Sequence, residues 1–199
     1  KTDSAADALS IALGKAAGTR ALTLSALDYE TIAINSTGTH GNSVTIGATE
    51  ASYLATTTAE IAARTAAATA RTISDLTTLT VTGNKDVTVT AGAKDKALAT
   101  VTATDFTGTN FTVVATASDV AMTVAAAGAY KAVVTTGDGA DKVTVGDGGT
   151  QELNTVTTGK GNDTITSGSG ADTISASAGN NTITSGAGAD GITTGIGAD

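Results

Sequence analysis

Thr158-Gly-Lys-Gly-Asn-Asp163-Thr-Ile165-Thr166 runs straight on into Ser167-Gly-Ser-Gly-Ala-Asp172-Thr-Ile174-Ser175. Ala176-Ser-Ala-Gly-Asn-Asn181-Thr-Ile183-Thr184 and Ser185-Gly-Ala-Gly-Ala-Asp190-Gly-Ile192-Thr193 follow without a gap, and a further copy opens at Thr194 and reaches Asp199. Asp or Asn at 163, 172, 181, 190 and 199 and Ile at 165, 174, 183 and 192 therefore keep one nine-residue phase. Self-similarity at a fixed period is the mark of a repeat architecture. A flexible Gly/Asn linker has no reason to carry an aliphatic residue in step with an acid.

Working upstream, Thr136-Gly137-Asp-Gly139-Ala-Asp141-Lys-Val143-Thr144 is an earlier copy. The next reaches its acid equivalent, Asn154, and its apolar Val156 only after a thirteen-residue step, which predicts a four-residue bulge near Gly149. Each position has a physical role. Glycines two and four of the unit (Gly137, Gly139, Gly159, Gly161, Gly168, Gly170, Gly186, Gly188) let the backbone turn through left-handed angles and aim carbonyls inward. Residue six supplies a carboxylate, and residue eight points from a short strand into the core.

Two units make one coil of eighteen residues, which stacks Asn154 with Asp172, Asp163 with Asn181, Asp172 with Asp190, and Asn181 with Asp199. Stacked carboxylates repel and inward carbonyls lack partners unless a cation lies between them. Calcium suits such a gap because it takes oxygen ligands, carbonyls included, in a flexible geometry. The expected metal set is Asp141, Asn154, Asp163, Asp172, Asn181, Asp190 and Asp199 with the eight glycines above. Several Ca2+ ions are expected, at an affinity of about 10⁻⁴ to 10⁻³ M or somewhat tighter. Asp138 and Asp147, at position three, read as exposed charges.

The pattern Gly-Gly-x-Gly-x-Asp-x-U-x, with U a large apolar residue, resembles the RTX (repeat-in-toxin) calcium-binding nonapeptide family. That resemblance implies a β-roll over residues 131–199. It leaves the parent protein open among secreted proteases, lipases, toxins, adhesins and surface-layer proteins.

Residues 1–130 read as an Ala/Thr-rich β-solenoid. Short alternating segments recur at Ala8–Leu13, Ala21–Leu24, Thr31–Ile34, Ser43–Ile46, Leu79–Thr82, Val87–Thr90, Ala99–Ala103, Phe111–Val114, Val120–Val124 and Ala132–Thr135. Gly and Asn separate them. The insertion near 48–76 breaks the pattern: Thr57-x-x-Glu60 is a capping box that opens onto an alanine-rich run, predicting a helix near 58–70. The fold class is therefore all-β, a right-handed parallel β-solenoid continuing into an RTX β-roll, with a short helical insertion.

Composition narrows the partners. A net charge of −8 argues against nucleic acid, whose phosphates need clustered Lys and Arg. No run of eighteen apolar residues is present, so no membrane-spanning segment is expected. With no cysteine, thiolate metal sites are excluded, and a lone His40 builds neither a zinc site nor a catalytic triad. No His-Glu-x-x-His or Gly-x-Ser-x-Gly occurs, so the chain is expected not to be an enzyme. It begins at Lys1 with no signal peptide and stops inside a repeat, so it is expected to be part of a longer chain.

Upstream phrases such as Ala8–Leu13, Asp28-Tyr-Glu-Thr-Ile-Ala-Ile-Asn35 and Leu76-Thr-Thr-Leu-Thr-Val-Thr-Gly-Asn84, in an acidic, cysteine-free chain, resemble the β-solenoid of Caulobacter-type bacterial surface-layer proteins. That likeness implies a secreted structural protein of the cell surface, self-association into a calcium-dependent lattice, and contact with cell-surface polysaccharide through another part of the chain. The stalk of an RTX adhesin, or the calcium-binding tail of a secreted hydrolase, stays open as an alternative.

Overall fold

Threonine alternating with valine or isoleucine lets one face of a strand leave water while the other keeps it. The computed structural model describes residues 8–13, 20–24, 31–37, 42–46, 76–91, 96–127, 131–146 and 153–199, and there this alternation yields short parallel strands. They are β1 (Ala8–Leu13), β2 (Arg20–Leu24), β3 (Thr31–Ser36), β4 (Asn42–Ile46), β5 (Thr78–Gly83), β6 (Val87–Ala91), β7 (Thr100–Thr102) and β8 (Asn110–Val114). There follow β9 (Thr123–Ala126), β10 (Lys131–Thr135), β11 (Lys142–Val145), β12 (Thr155–Thr158), β13 (Thr164–Thr166), β14 (Thr173–Ala176), β15 (Thr182–Thr184) and β16 (Gly191–Thr193). No helix occurs among the described residues.

Odd-numbered strands form one eight-stranded parallel sheet in the order β1-β3-β5-β7-β9-β11-β13-β15, and even-numbered strands form the other. The chain crosses from one sheet to the other at every turn, so each coil lays one strand on each sheet: a parallel β-solenoid. Register is held by inward-facing side chains. In the odd sheet Ile32, Leu79, Val101, Val124, Val143 and Ile165 lie side by side, all buried, and Ile183 follows. In the even sheet Val44, Val89, Val113, Val134, Val156 and Ile174 do the same, with half-exposed Ile192 at the end. Each fully buried aliphatic contributes roughly 1.5–3 kcal/mol, and a one-residue slip would turn every one of them outward. The apolar residue of the nonapeptide is therefore the continuation of a column that begins far upstream. The core does not break at residue 131.

What changes along the solenoid is coil size. Ala8 pairs with Thr31, twenty-three residues on, and Thr78 with Thr100, twenty-two on. Thr123 pairs with Lys142 nineteen on, and the eighteen-residue coil appears only with Thr164 and Thr182, and Thr155 and Thr173. Asn42 pairs with Val87, forty-five residues on, because the insertion falls within that coil. The helix expected near 58–70 and the bulge near Gly149 lie outside the described residues. Leu76, the first residue of the solenoid phrase Leu76–Asn84, is fully buried in the core. The strand expected over Val120–Val124 starts only at Thr123: Val120 is 39% exposed, while Met122 closes a turn with its side chain inside.

Upstream turns are filled with hydrocarbon. Leu76, Leu98, Phe106 and Met122 are buried there, and the Phe106 ring lies 5.8 Å from that of Phe111, tilted by 53°. Truncating Phe111 to alanine should therefore lower the unfolding free energy by about 3–5 kcal/mol in urea titrations. A loss below about 1 kcal/mol would show that the core collapses around the gap.

Candidate metal centre

At Asp141 the filling of the turns changes from hydrocarbon to carboxylate. The position-six residues form two rows. Asp141, Asp163, Asn181 and Asp199 stand in the turns leading into the odd sheet, and Asn154, Asp172 and Asp190 in those leading into the even sheet. In each row one side-chain oxygen accepts the backbone N–H of the equivalent residue one coil earlier. Asp141 Oδ1 takes the Met122 amide at 2.8 Å, Asp163 the Asp141 amide at 2.9 Å, Asn181 the Asp163 amide at 3.0 Å, and Asp199 the Asn181 amide at 2.8 Å. Across the molecule Asn154 takes Ala132 at 2.9 Å, Asp172 takes Asn154 at 2.9 Å, and Asp190 takes Asp172 at 3.0 Å. The four stacked pairs expected from the eighteen-residue period are thus formed, each through an amide.

The second carboxylate oxygen has no such partner. Asp141, Asp163 and Asp172 are buried, and the Oδ2 of each has no hydrogen-bond partner, nor do the Thr136 and Thr158 hydroxyls at position one of the Asp141 and Asp163 turns. Burial pushes the Asp141 carboxyl above the ordinary 3.8, aided by the charges of Asp163 and Asp138. The nearby Thr136 hydroxyl and the Met122 amide pull the other way, although that hydroxyl stands outside hydrogen-bond geometry. At the exposed end the sign reverses. The Asp172 amide, then the Ser185 hydroxyl, hold Asp190 low, and the Asn181 amide, then the Thr194 hydroxyl, do so for Asp199.

Glycine supplies the rest of the cradle. A Cβ on Gly161 would fall 1.7 Å from the Gly139 carbonyl oxygen, and Gly161 has φ +142°. Gly188 stands over the Gly170 carbonyl in the same way, at 1.8 Å and φ +146°. Position four is thus left-handed at Gly139, Gly161 and Gly179 in one row and at Gly170 and Gly188 in the other, though not at Gly197. Position two differs from the expectation: it is left-handed at Gly168 and Gly186 in the even-sheet row, but not at Gly137, Gly159 or Gly195 in the other, which is the row that admits Ser177. Gly159 still packs against the Gly137 carbonyl, where a Cβ would meet it at 2.1 Å.

Among the described residues no three His, Cys, Asp or Glu side chains converge. A cation here would rely on single carboxylate oxygens, hydroxyls and backbone carbonyls, which is the donor set of a hard ion such as calcium rather than of zinc. Buried, unpartnered Oδ2 atoms fit that ion. Upstream, by contrast, Asp86 has both oxygens taken by Asn110, at 2.9 and 2.7 Å.

Two features escaped sequence reasoning. Asn162 and Asn180, at position five, also run an amide row, to Asn180 at 2.8 Å and Ala198 at 2.9 Å, and their eighteen-residue spacing was the available signal. Exposed Asp138 likewise accepts the Lys160 amide at 3.0 Å, which holds its carboxyl low. His40 and Asp147 lie outside the described residues.

Residues 148–182 and 166–199 match the family model of the RTX calcium-binding nonapeptide repeat, which spans four copies. These repeats are RTX nonapeptides. No curated protein and no solved structure matches the chain.

Two outcomes test this geometry. Gly161→Ala should lose at least about 2 kcal/mol of stability in urea, because both φ and the Gly139 carbonyl oppose a side chain. Ionised Asp141 penalises the metal-free fold above its raised folded pKa, and the penalty lifts as pH falls through that window toward 3.8. Asp190 and Asp199 stabilise above 3.8, and that contribution is lost only as pH falls through their lowered values. In chelator, Asp141→Asn should thus melt above the parent at pH 7, with the gap closing toward pH 4; a gap that ignores pH counts against the assignment.

Proposed function

We propose that this chain is a calcium-stabilised structural segment of a secreted bacterial protein, and that the parent protein forms a surface layer. The observation that carries the reading is the set of buried, unpartnered Oδ2 atoms of Asp141, Asp163 and Asp172 inside glycine turns. Those oxygens, the Thr136 and Thr158 hydroxyls and the carbonyls of Gly139, Gly161 and Gly170 would hold the ions, each row its own; the Gly137 and Gly168 carbonyls already accept the Gly159 and Ala187 amides. Gly159, Gly186 and Gly188 permit the close stacking, and Asp190 and Asp199 present ionised carboxylates at the exposed end. When bound, calcium supplies positive charge to carboxylates that burial disfavours and open coordination positions for oxygens that lack donors.

Folding then follows calcium. Where calcium is scarce, as in cytosol, the acid-filled turns are disfavoured and the chain is suited to export; in millimolar external calcium they close. The surface-layer assignment draws on the resemblance of the Ala/Thr-rich upstream coils, on the flat outer rows formed by Thr164 with Thr182 and Thr155 with Thr173, and on the net charge of −8. It has no catalytic step. Self-association into a lattice, and attachment to cell-surface polysaccharide through another part of the chain, complete the reading. Among the described residues no helix is long and apolar enough to cross a membrane.

Moving from chelator to about 5 mM calcium should raise stability by about 2 kcal/mol per occupied site of 0.1 mM affinity. A melting temperature and circular dichroism spectrum that do not change would sink the calcium reading. Electron microscopy of the parent protein separates the assignments: a two-dimensional lattice supports a surface layer, isolated fibres an adhesin stalk. Protease or esterase activity would reassign this segment as a hydrolase tail.

A further inference from the structure

The Asp and Asn turns differ by one atom, and that atom has opposite surroundings in the two. Asn181 Oδ1 accepts the Asp163 amide at 3.0 Å. Only the oxygen of a carboxamide can accept a hydrogen bond, so its nitrogen is forced into the branch that Oδ2 occupies in an Asp turn. There Asn181 Nδ2 donates to the carbonyls of Ser177 at 3.1 Å and Gly179 at 3.2 Å, positions two and four of its own turn. Asn154 is oriented the same way by the Ala132 amide at 2.9 Å, and its Nδ2 reaches the Ser167 carbonyl at 3.1 Å and that of Gly146 at 3.4 Å, tying its turn to the next coil. Among the described residues no side-chain donor serves the position-four carbonyls of Gly139, Gly161 or Gly170 in this manner, and the Oδ2 atoms of Asp141, Asp163 and Asp172 stand bare.

We propose that Asn181 and Asn154 are built-in substitutes for the cation: each closes its turn with its own amide hydrogens, binds no calcium there, and holds the middle of the roll together when calcium is withdrawn. An NH2 group facing the carbonyls repels a metal ion and consumes the oxygens that would ligate it. The substitution is placed in each row where a neighbour is an Asp turn, so Asn181 parts Asp163 from Asp199, and Asn154 leads into Asp172. The proposal rests on the calcium reading for the Asp turns only; the amide closure itself needs no metal.

The test uses the full chain, with calcium chloride alone as the probe, melting curves in chelator and a count of bound ions. Asn181→Asp should melt about 5 °C lower in chelator and bind one ion more than the parent in saturating calcium. Asn181→Ala should also melt lower in chelator, but with no ion gained. Asp163→Asn, which adds an amide and so guards against variants that merely fail to fold, should melt higher in chelator and bind one ion fewer. An Asn181→Asp protein that keeps the parental melting temperature in chelator, or that gains no ion while the parent binds calcium, overturns the proposal. A parent that binds no calcium at all instead removes the calcium function, while chelator melting of Asn181→Ala still decides whether the amide closes its turn.

Discussion

A carboxylate buried in a glycine turn, one oxygen bound to an amide and the other bare, is the constraint on which the C-terminal coils depend. The amide bond makes each coil the cap of the one before it, from Met122 to Asp199 in one row and from Ala132 to Asp190 in the other. The bare oxygen makes that cap conditional. Upstream, the same turn interior is closed unconditionally by Leu98, Phe106 and Met122. One column of Val, Leu and Ile thus runs beneath two kinds of turn, so the solenoid is continuous in its core and divided only in what its corners require.

Most of the strand layout was legible because a half-buried strand announces itself by alternation. Thr31–Ile34, Val87–Thr90 and Phe111–Val114 fall within the observed strands almost residue for residue. The nonapeptides were more legible still, since two marks kept phase. Coil size upstream was not: with steps from nineteen to twenty-four residues, and an insertion between β4 and β5, no single period recurs for the eye to find. Val120 misled because an apolar residue at the lip of a turn looks like the start of the next strand.

Within the candidate centre, residue types and stacking partners could be read from spacing, but the assignment of atoms could not. That a carboxylate would spend one oxygen on an amide, leaving the other free, depends on how closely consecutive coils approach. So does the contrast between Asp163 and Asn181, which differ in sequence by a charge and in the fold by the direction of a hydrogen bond.

The two rows use different turns, and this sets a parity on the repeat. Position two is left-handed beneath Gly168 and Gly186 but not at Gly137, Gly159 or Gly195, so consecutive nonapeptides, alike in sequence, are not interchangeable in space. Deleting nine residues upstream of Ser177 would carry that serine across the molecule into the row that demands positive φ, and would move each following Asn and Asp to the opposite edge. Deleting eighteen would return every residue to its own side. The unit by which such a chain can lengthen or shorten without strain is therefore the coil, and the nonapeptide is only its half.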